Sequence, residues 1–472
     1  MFDEMLTGSG NRPEYDTVAA WIERHGANSL LSRNAEAEAL FRQVGVTFAV
    51  YGEGGDPERL IPFDLIPRVF SAREWDIVER GSIQRAQALN AFLADVYGEQ
   101  EIIKAGKIPA EVVHDNPAYN KALQGIRPPR DVYAHIVGVD LVRTSEDQFY
   151  VLEDNARTPS GISYVFETRE VMLRMFPELF KGGAIRPVDN YPDMLLDAMI
   201  ACAPPLCEGQ PTCVLLSPGY FNSAYYEHSF LADRMGIELV EGQDLFVEKG
   251  LVYMRTVRGP ERVDVIYKRI DDDFIDPLAF NRDSVLGVPG LMDVYRNGGV
   301  ALVNAPGAGV ADDKATYVFV PEMIRFYLGE EPIIDNVPTY RCSVPDNLKY
   351  VLSHLEELVV KEVHGSGGYG MLIGPASTAE ERETFAAKLR ENPSGFVAQP
   401  TLALSSVPAL TPQGPDPRHV DLRPFVVTGA ETKLIPGGLT RVAMRKGSLV
   451  VNSSQGGGVK DTWVLNHNPG EV

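Results

Sequence analysis

Cysteine is scarce in this chain: four residues in 472, at Cys202, Cys207, Cys213 and Cys342. Three of them cluster around the proline-rich stretch APPLCEGQPTC, Cys202 just before it and Cys207 and Cys213 within it, and none has the paired spacing of a metal site. That scarcity argues against a disulfide framework and suits reduced thiols in a cytoplasmic protein. Positive charge is also in short supply. Lysine and arginine number 44 against 65 aspartates and glutamates, a net charge of −21. Such a surface argues against nonspecific binding to nucleic acid or to an anionic membrane, and it leaves room for a local basic pocket. No apolar run approaches 18 residues, so no transmembrane helix is expected. The first ten residues, MFDEMLTGSG, are too acidic and polar for a secretory signal. His135, His228, His364 and His419 show no zinc-site spacing. No G-x-S-x-G elbow is present, which removes a serine-hydrolase reading of Ser160.

What remains is ordinary globular composition, 44% hydrophobic and 23% charged, over a length that calls for two or three packed domains. Residues 1–130 read as mainly helical. SAREWDIVERGSIQRAQALNAFLADVYG (71–98) has apolar residues at helical spacing, and Ser71 with Glu74 fits a capping box. Helical patterns return near 166–180 and 192–202. Between 211 and 310, strands alternate with helices: TCVLLSPG, then NSAYYEHSFLADRMG closed by glycine, then IELVEG. A hairpin follows around Lys249-Gly250, then VDVIYKRI and GGVALVNAPGAG. That alternation predicts a parallel α/β unit. Ligands in such sheets lie beyond the strand C-termini, which directs attention to Ser217, Tyr220, Asn222, Arg269 and Asn304.

Two segments carry the strongest chemistry. HIVGVDLV (135–142) and VLEDNARTPSG (151–161) read as strands of a hairpin with TSEDQ (144–148) as the turn. Residues two apart on a strand share a face, so Glu153 and Asn155 can meet Asp140. Two carboxylates and an amide oxygen are hard donors of the kind magnesium takes beside phosphates. VVKEVHGSGGYGMLIG (359–374) runs from a strand into a glycine cluster and out into a second strand. Gly365, Gly367, Gly368 and Gly370 let the backbone approach phosphate, and Lys361 can add a point charge. The spacing is neither a P-loop nor a dinucleotide fingerprint. Together the segments read as a site for ATP and Mg2+.

On these residues the chain resembles the ATP-grasp superfamily, in its circularly permuted branch. DDKATYVFV (312–320) resembles the first lysine element at Lys314, and VVKEVHGSGGYG the second at Lys361. FVAQPTL (396–402) resembles the hinge strand. DLRPFVV (421–427) and TRVAMRKGSLVVNSSQGGG (440–458) resemble the core strands and the second loop of peptide-forming members. The Asp…Glu-x-Asn element that should close the series stands instead at 140–155, ahead of the rest. The cyclic order is kept and the cut point is new.

The resemblance implies an α/β (α+β) fold: a mainly helical region 1–130, a permuted metal-binding hairpin 131–165, and a helical link with a pre-grasp α/β substrate domain at 166–310. Residues 311–472 would carry the lysine, loop, hinge and core-strand elements of the grasp domain. It also implies an ATP-dependent carboxylate–amine ligase working through an acyl phosphate, related to glutathionylspermidine and glutathione synthetases. The expected metal ligands are Asp140, Glu153 and Asn155. Expected ATP contacts are Lys314, Lys361, His364, Gly365, Ser366, Gly367, Gly368, Gly370, Gln399, Asn452, Gln455 and Gly456. Peptide-forming relatives carry an arginine two residues before the metal aspartate; here that residue is Gly138. Arg157, Arg269, Arg441 and Arg445 are the candidates to replace it. The expected partners are small-molecule or peptide acid and amine substrates, with a small helical protein as a further possibility. Two other readings stand beside the ligase: an ATP-binding scaffold that has lost its chemistry, and an oxidoreductase built on the 211–310 unit.

Overall fold

A computed structural model describes residues 2–8, 10–45, 47–49, 58–220, 222–365, 370–452 and 455–468. Its backbone is a ten-stranded sheet. Along its main path run Asp335–Asn336, Gln148–Asn155, Ile136–Ser145, Gly414–Arg423, Leu439–Val442, Gly458–Val464 and Phe63–Phe70. Gln148–Asn155 and Ile136–Ser145 form the expected antiparallel hairpin, with Asp140 opposite Glu153 and Gly138 opposite Asn155. Alternation sorts their side chains. Val137, Val139 and Leu141 enter the core shared with the helix Ala72–Val96, while Asp140 and Val142 face a cleft.

Within 1–130 the helix Ala72–Val96 begins with the capping box, Ser71 accepting from the Glu74 amide and Glu74 reaching back. The same region also supplies Phe63–Phe70, buried along its whole length and parallel to Gly458–Val464. FDLIPRVF is short and carries no helical period, as suits a strand covered on both faces.

A second, parallel sheet has the order Ala301–Val303, Val265–Lys268, Cys213–Leu216, Glu238–Val240. The helix Tyr225–Met235 ends on Gly236 in the left-handed region. The hairpin at Lys249 and Gly250 turns with φ of 51° and 77°, the turn that matches strand twist. Asn304 joins this unit to the first sheet: its side chain accepts from Ile136 N at 2.8 Å and donates to Ile136 O at 2.8 Å and Ala156 O at 2.7 Å.

A third, antiparallel sheet contains Tyr340–Arg341, Phe396–Pro400, Leu358–Glu362 and Leu372–Ile373. Leu358, Val360 and Ala398 pack beneath the helices Pro345–Ser353 and Ala379–Glu391. Strand alternation sends Val359, Lys361 and Gln399 the other way, into the cleft. The architecture is the expected mixed α/β class. Among the described residues no helix is long and apolar enough to cross a membrane.

Candidate active site

The cleft lies between the first and third sheets. Its polar floor includes Asp140, Glu153, Asp421 and Arg441, and its opposite side includes Lys361 and Gln399. Apolar walls come from Leu152, Val359, Ile373 and Leu402.

Asp140 is fully buried and saturated with donors. Arg423 donates to it through Nε and also through Nη2, the latter at 2.8 Å. Arg441 Nη2 donates to Oδ2 at 2.7 Å. Arg441 also bonds Asp421, with its Nε 2.9 Å from Oδ1. Burial works against the charged form of Asp140, but the two guanidinium groups outweigh it and hold the carboxyl well below the usual range. Neither Asp421 nor Arg423 is among the residues singled out from sequence. The signal that could have found them is a charged pair two apart in DLR, at the end of one strand and just ahead of the apolar strand FVV.

Arg423 also accounts for Gly138. A Cβ at position 138 would lie 3.2 Å from Arg423 Cδ and 3.2 Å from Pro159 Cβ. The space a side chain at 138 would need holds an arginine delivered from the neighbouring strand.

Glu153 is the more accessible carboxylate, with 27% of its side chain exposed. Its nearest cation is Lys314, whose Nζ lies 3.5 Å away and donates to Gly365 O at 2.5 Å. Asn155 Nδ2 donates to Gly138 O at 3.3 Å and approaches Asp140 Oδ1 at 3.4 Å. Lys314 opens a short helix capped by Asp313, whose carboxylate accepts from Ala315 N and Thr316 N. The residue before it, Asp312, accepts from Ala156 N at 2.7 Å and Arg157 N at 2.9 Å, which pins the lysine element to the end of the hairpin. Lys361 is pushed down to about 8 by burial, helped by Lys314 and Arg441 and opposed by Glu153 and Asp140.

The remaining expected residues fall into distinct places. Gly365, Gln399 and Asn452 line the cleft; Gln399 Nε2 bonds Thr339 Oγ1 at 3.0 Å. His364 turns away from it, its Nδ1 2.7 Å from Asp313 Oδ2. Gly370 has a φ of 68° and stands against Glu362. Gln455 and Gly456 are exposed. Ser366, Gly367 and Gly368 lie outside the described residues.

The four candidate arginines are scattered. Arg441 is in the cleft. Arg157 lines a neighbouring cavity and pairs with Asp312 at 3.2 Å. Arg445 is exposed. Arg269 is buried, donating to Pro159 O at 2.8 Å, Tyr267 Oη at 3.0 Å, Glu227 Oε1 at 3.1 Å and Ser160 Oγ. Glu227 in turn accepts from Gly161 N at 2.7 Å and Ser163 N at 3.1 Å, so Arg269 and Glu227 together fasten the turn after the hairpin. Gly161 must be glycine there: its φ is 112°, and a Cβ would meet Leu439 Cδ2 at 2.6 Å. Of the other residues marked in the α/β unit, Ser217 Oγ contacts His228 Nδ1 at 2.9 Å in the interior. Asn222 accepts from Ala224 N at 2.9 Å, and Tyr220 is exposed.

A profile for circularly permuted ATP-grasp type 2 matches residues 67–443. The chain belongs to that family. An uncharacterized protein of Synechocystis sp. is 52% identical over 98% of this chain and 97% of its own length. One from Mycobacterium tuberculosis is 49% identical over 98% of this chain and 84% of its own length. A Frankia alni protein with a provisional glutamate–cysteine ligase name is 41% identical over 98% of this chain, which spans 54% of that relative. Among solved structures, a glutathione synthetase-like effector of Globodera pallida in its apo form has a TM-score of 0.60. It is 11% identical and covers 93% of this chain and 98% of its own; that likeness speaks to fold alone.

ATP-grasp proteins use ATP and Mg2+ generally. The donor set here suits a hard cation: Asp140 and Glu153 are cross-strand partners, about 4.5–5.5 Å apart at Cβ by strand geometry, with the Asn155 amide beside them. Asp140 would reach a cation only by giving up a guanidinium bond, so Glu153 is the readier ligand.

Proposed function

We propose that this protein is an ATP-dependent carboxylate–amine ligase that works through an acyl phosphate and releases ADP and phosphate. The observation that carries the reading is that Lys361 faces Asp140 and Glu153 across one cleft, with Lys314 Nζ between Glu153 and Gly365 O. The Frankia relative's name also denotes joining of an acid to an amine.

In this reading the adenine lies among Leu152, Ile373 and Gln399, and the phosphates lie by Lys314, Lys361 and Gly365. A substrate carboxylate attacks the terminal phosphorus, and the bond to ADP breaks with its electron pair leaving on ADP. The two lysines offset the charge carried by the phosphoryl group. Magnesium, held by Glu153, Asp140 and Asn155, would supply further charge neutralisation. The amine then attacks the acyl carbon, the C–O bond breaks, and phosphate leaves. Arg423, in the space beside Gly138, is the group to stabilise the tetrahedral oxyanion, with Arg441 behind it.

The saturated state of Asp140 favours a second reading, an ATP-binding scaffold without turnover. Magnesium-dependent ADP release, measured over pooled acids and amines including fractions of cell extract, separates the two. Release that requires an acid and an amine together and is lost in Glu153→Gln is the expected result. In Arg423→Ala, kcat should fall roughly 10²–10³-fold with the KM for ATP little changed. Tight ATP binding with no release from any pool would sink the ligase reading in favour of the scaffold.

A further inference from the structure

Behind the cleft is a second cavity of about 420 Å³, within the size range of small-ligand sites. Three segments line both spaces, which therefore adjoin. Along 153–157, Glu153 faces the cleft and Arg157 the second cavity. Along 312–314, Lys314 faces the cleft while Asp312 and Asp313 face the cavity. At 364–365, Gly365 lines the cleft and His364 the cavity. A ligand in the cavity therefore lies next to the segments that carry Lys314 and Glu153.

The cavity's chemistry is mixed and ordered. Two of its aspartates are neutralised, Asp272 by Lys268 at 2.7 Å and Asp312 by Arg157 at 3.2 Å, and a third, Asp313, lies 2.7 Å from His364 Nδ1. The carboxylates of Asp271 and Asp273, both exposed, make no side-chain hydrogen bond or close ion pair among the described residues, although Asp271 is near enough to Arg157 to favour its charged form; both line this cavity. The opposite need comes from Asn116. It is 6% exposed and its Oδ1 accepts from Ala118 N at 2.9 Å, but its Nδ2 has no partner. A buried amide donor left unmade costs about 1–3 kcal/mol, and it lines this cavity. The cavity thus offers exposed carboxylates for a cation together with an unused N–H for an oxygen. Arg157 adds a half-exposed guanidinium.

We infer that this second cavity binds the amine substrate, and that the substrate is an amino acid or the amino-terminal residue of a short peptide. Its ammonium group faces Asp271 and Asp273, and its carboxylate or carbonyl oxygen faces Asn116 Nδ2 and Arg157. The inference rests on the ligase reading for the word substrate, and on the cavity alone for binding. A polyamine satisfies the carboxylates and leaves Asn116 unmade, so it is the disfavoured amine. For the joining step the ammonium first gives one proton to a carboxylate or water; the free amine nitrogen then forms its bond to the acyl carbon, phosphate departs with the C–O electron pair, and the nitrogen's second proton passes to phosphate or water.

Calorimetric titration of the full chain, without nucleotide, tests it against amino acids, dipeptides, their desamino analogues and spermidine. At least one amino acid or dipeptide should bind saturably, and its desamino analogue should not. Asp271→Asn combined with Asp273→Asn should weaken that binding at least tenfold, and so should Asn116→Asp, which keeps the acceptor oxygen and removes the donor. ATP affinity should stay within about twofold in both variants. Binding of spermidine alone, binding of nothing in the panel, or affinities unmoved in both variants overturns the inference. Amine-dependent ADP release whose amine KM is unchanged in the aspartate variants would remove the cavity assignment and leave the ligase standing. Amino-acid binding that fails in the variants, with no ADP release from any pool, would do the reverse.

Discussion

Gly138 and Arg423 have to be understood together. A glycine where peptide-forming relatives carry arginine suggests a lost group if the sequence is taken alone. In three dimensions the two positions share one space, because Phe425–Thr428 runs antiparallel to Ile136–Ser145 with Phe425 opposite Gly138 and Arg423 lies just before that pairing. Nothing in the spacing of 138 and 423 along the chain encodes this. Lys361 carries a prediction at the same scale. Half-buried near Lys314 and Arg441, it has a pKa pushed down to about 8 in the nucleotide-free protein, whereas the ligase reading needs it charged beside phosphate. Below that pH the lysine is already protonated and binding costs nothing extra. Above it, binding must take up a proton, so the Kd for ATP should rise up to about tenfold per pH unit. Titrations from pH 6.5 to 9.5 check this, and Lys361→Arg, which stays charged throughout, should flatten the profile.

The hairpin shows how far local patterning alone can specify one element. Its two strands, its turn and the common face of Glu153 and Asn155 follow from a period of two residues. The same period places Asp154 on the reverse face, and there the sequence is silent about its partner. Arg85, from the helix Ala72–Val96, donates to both its oxygens at 2.6 and 2.7 Å and to Asn336 at 2.7 Å. Both members of the pair are almost wholly buried. The helix thereby fixes the strand whose other face holds Glu153 and Asn155. Arg85→Met should strand a buried carboxylate and cost roughly 3–5 kcal/mol, read as a lower urea midpoint. Arg85→Met with Asp154→Leu should recover much of it, because the unpaired charge is then gone.

At the scale of the molecule, the ends of the chain are tied into the centre. The strand Phe63–Phe70 lies beside Gly458–Val464, and Glu4 N donates to Ser406 O at 2.9 Å. The Glu4 carboxylate is fully buried. It accepts from Arg68 at 2.9 and 2.6 Å and from Ser405 at 2.5 Å, and Arg143 lies 3.6 Å away. Burial favours its neutral form, but Arg68 and Arg143 prevail and lower it below the ordinary carboxylate value. A depressed carboxyl contributes stability above the unfolded value, and that contribution is lost as pH falls through the folded one. Glu4→Gln should therefore lower the unfolding free energy at pH 7 by about 3–5 kcal/mol, read as a lower urea midpoint. The gap to the unsubstituted protein should close as pH falls below roughly 4, a trend that urea titrations at several pH values would register.

By itself the sequence determined what depends on local periodicity and on motif order. The hairpin carrying Asp140 and Glu153, the capping box at Ser71, the strand–helix alternation after 211 and the rearranged order of the ATP-grasp elements are all of that kind. Short-range sterics and burial on one face set them, and both leave a regular trace along the chain. Tertiary structure decided what depends on neighbours far apart in sequence. It placed Arg423 beside Gly138, Arg85 behind Asp154, and Asn116 in a cavity with Asp271 and Asp273. Such contacts are fixed by which strands lie side by side and which faces they share. A buried arginine or an unmade amide hydrogen bond has no signature until the fold brings its surroundings together.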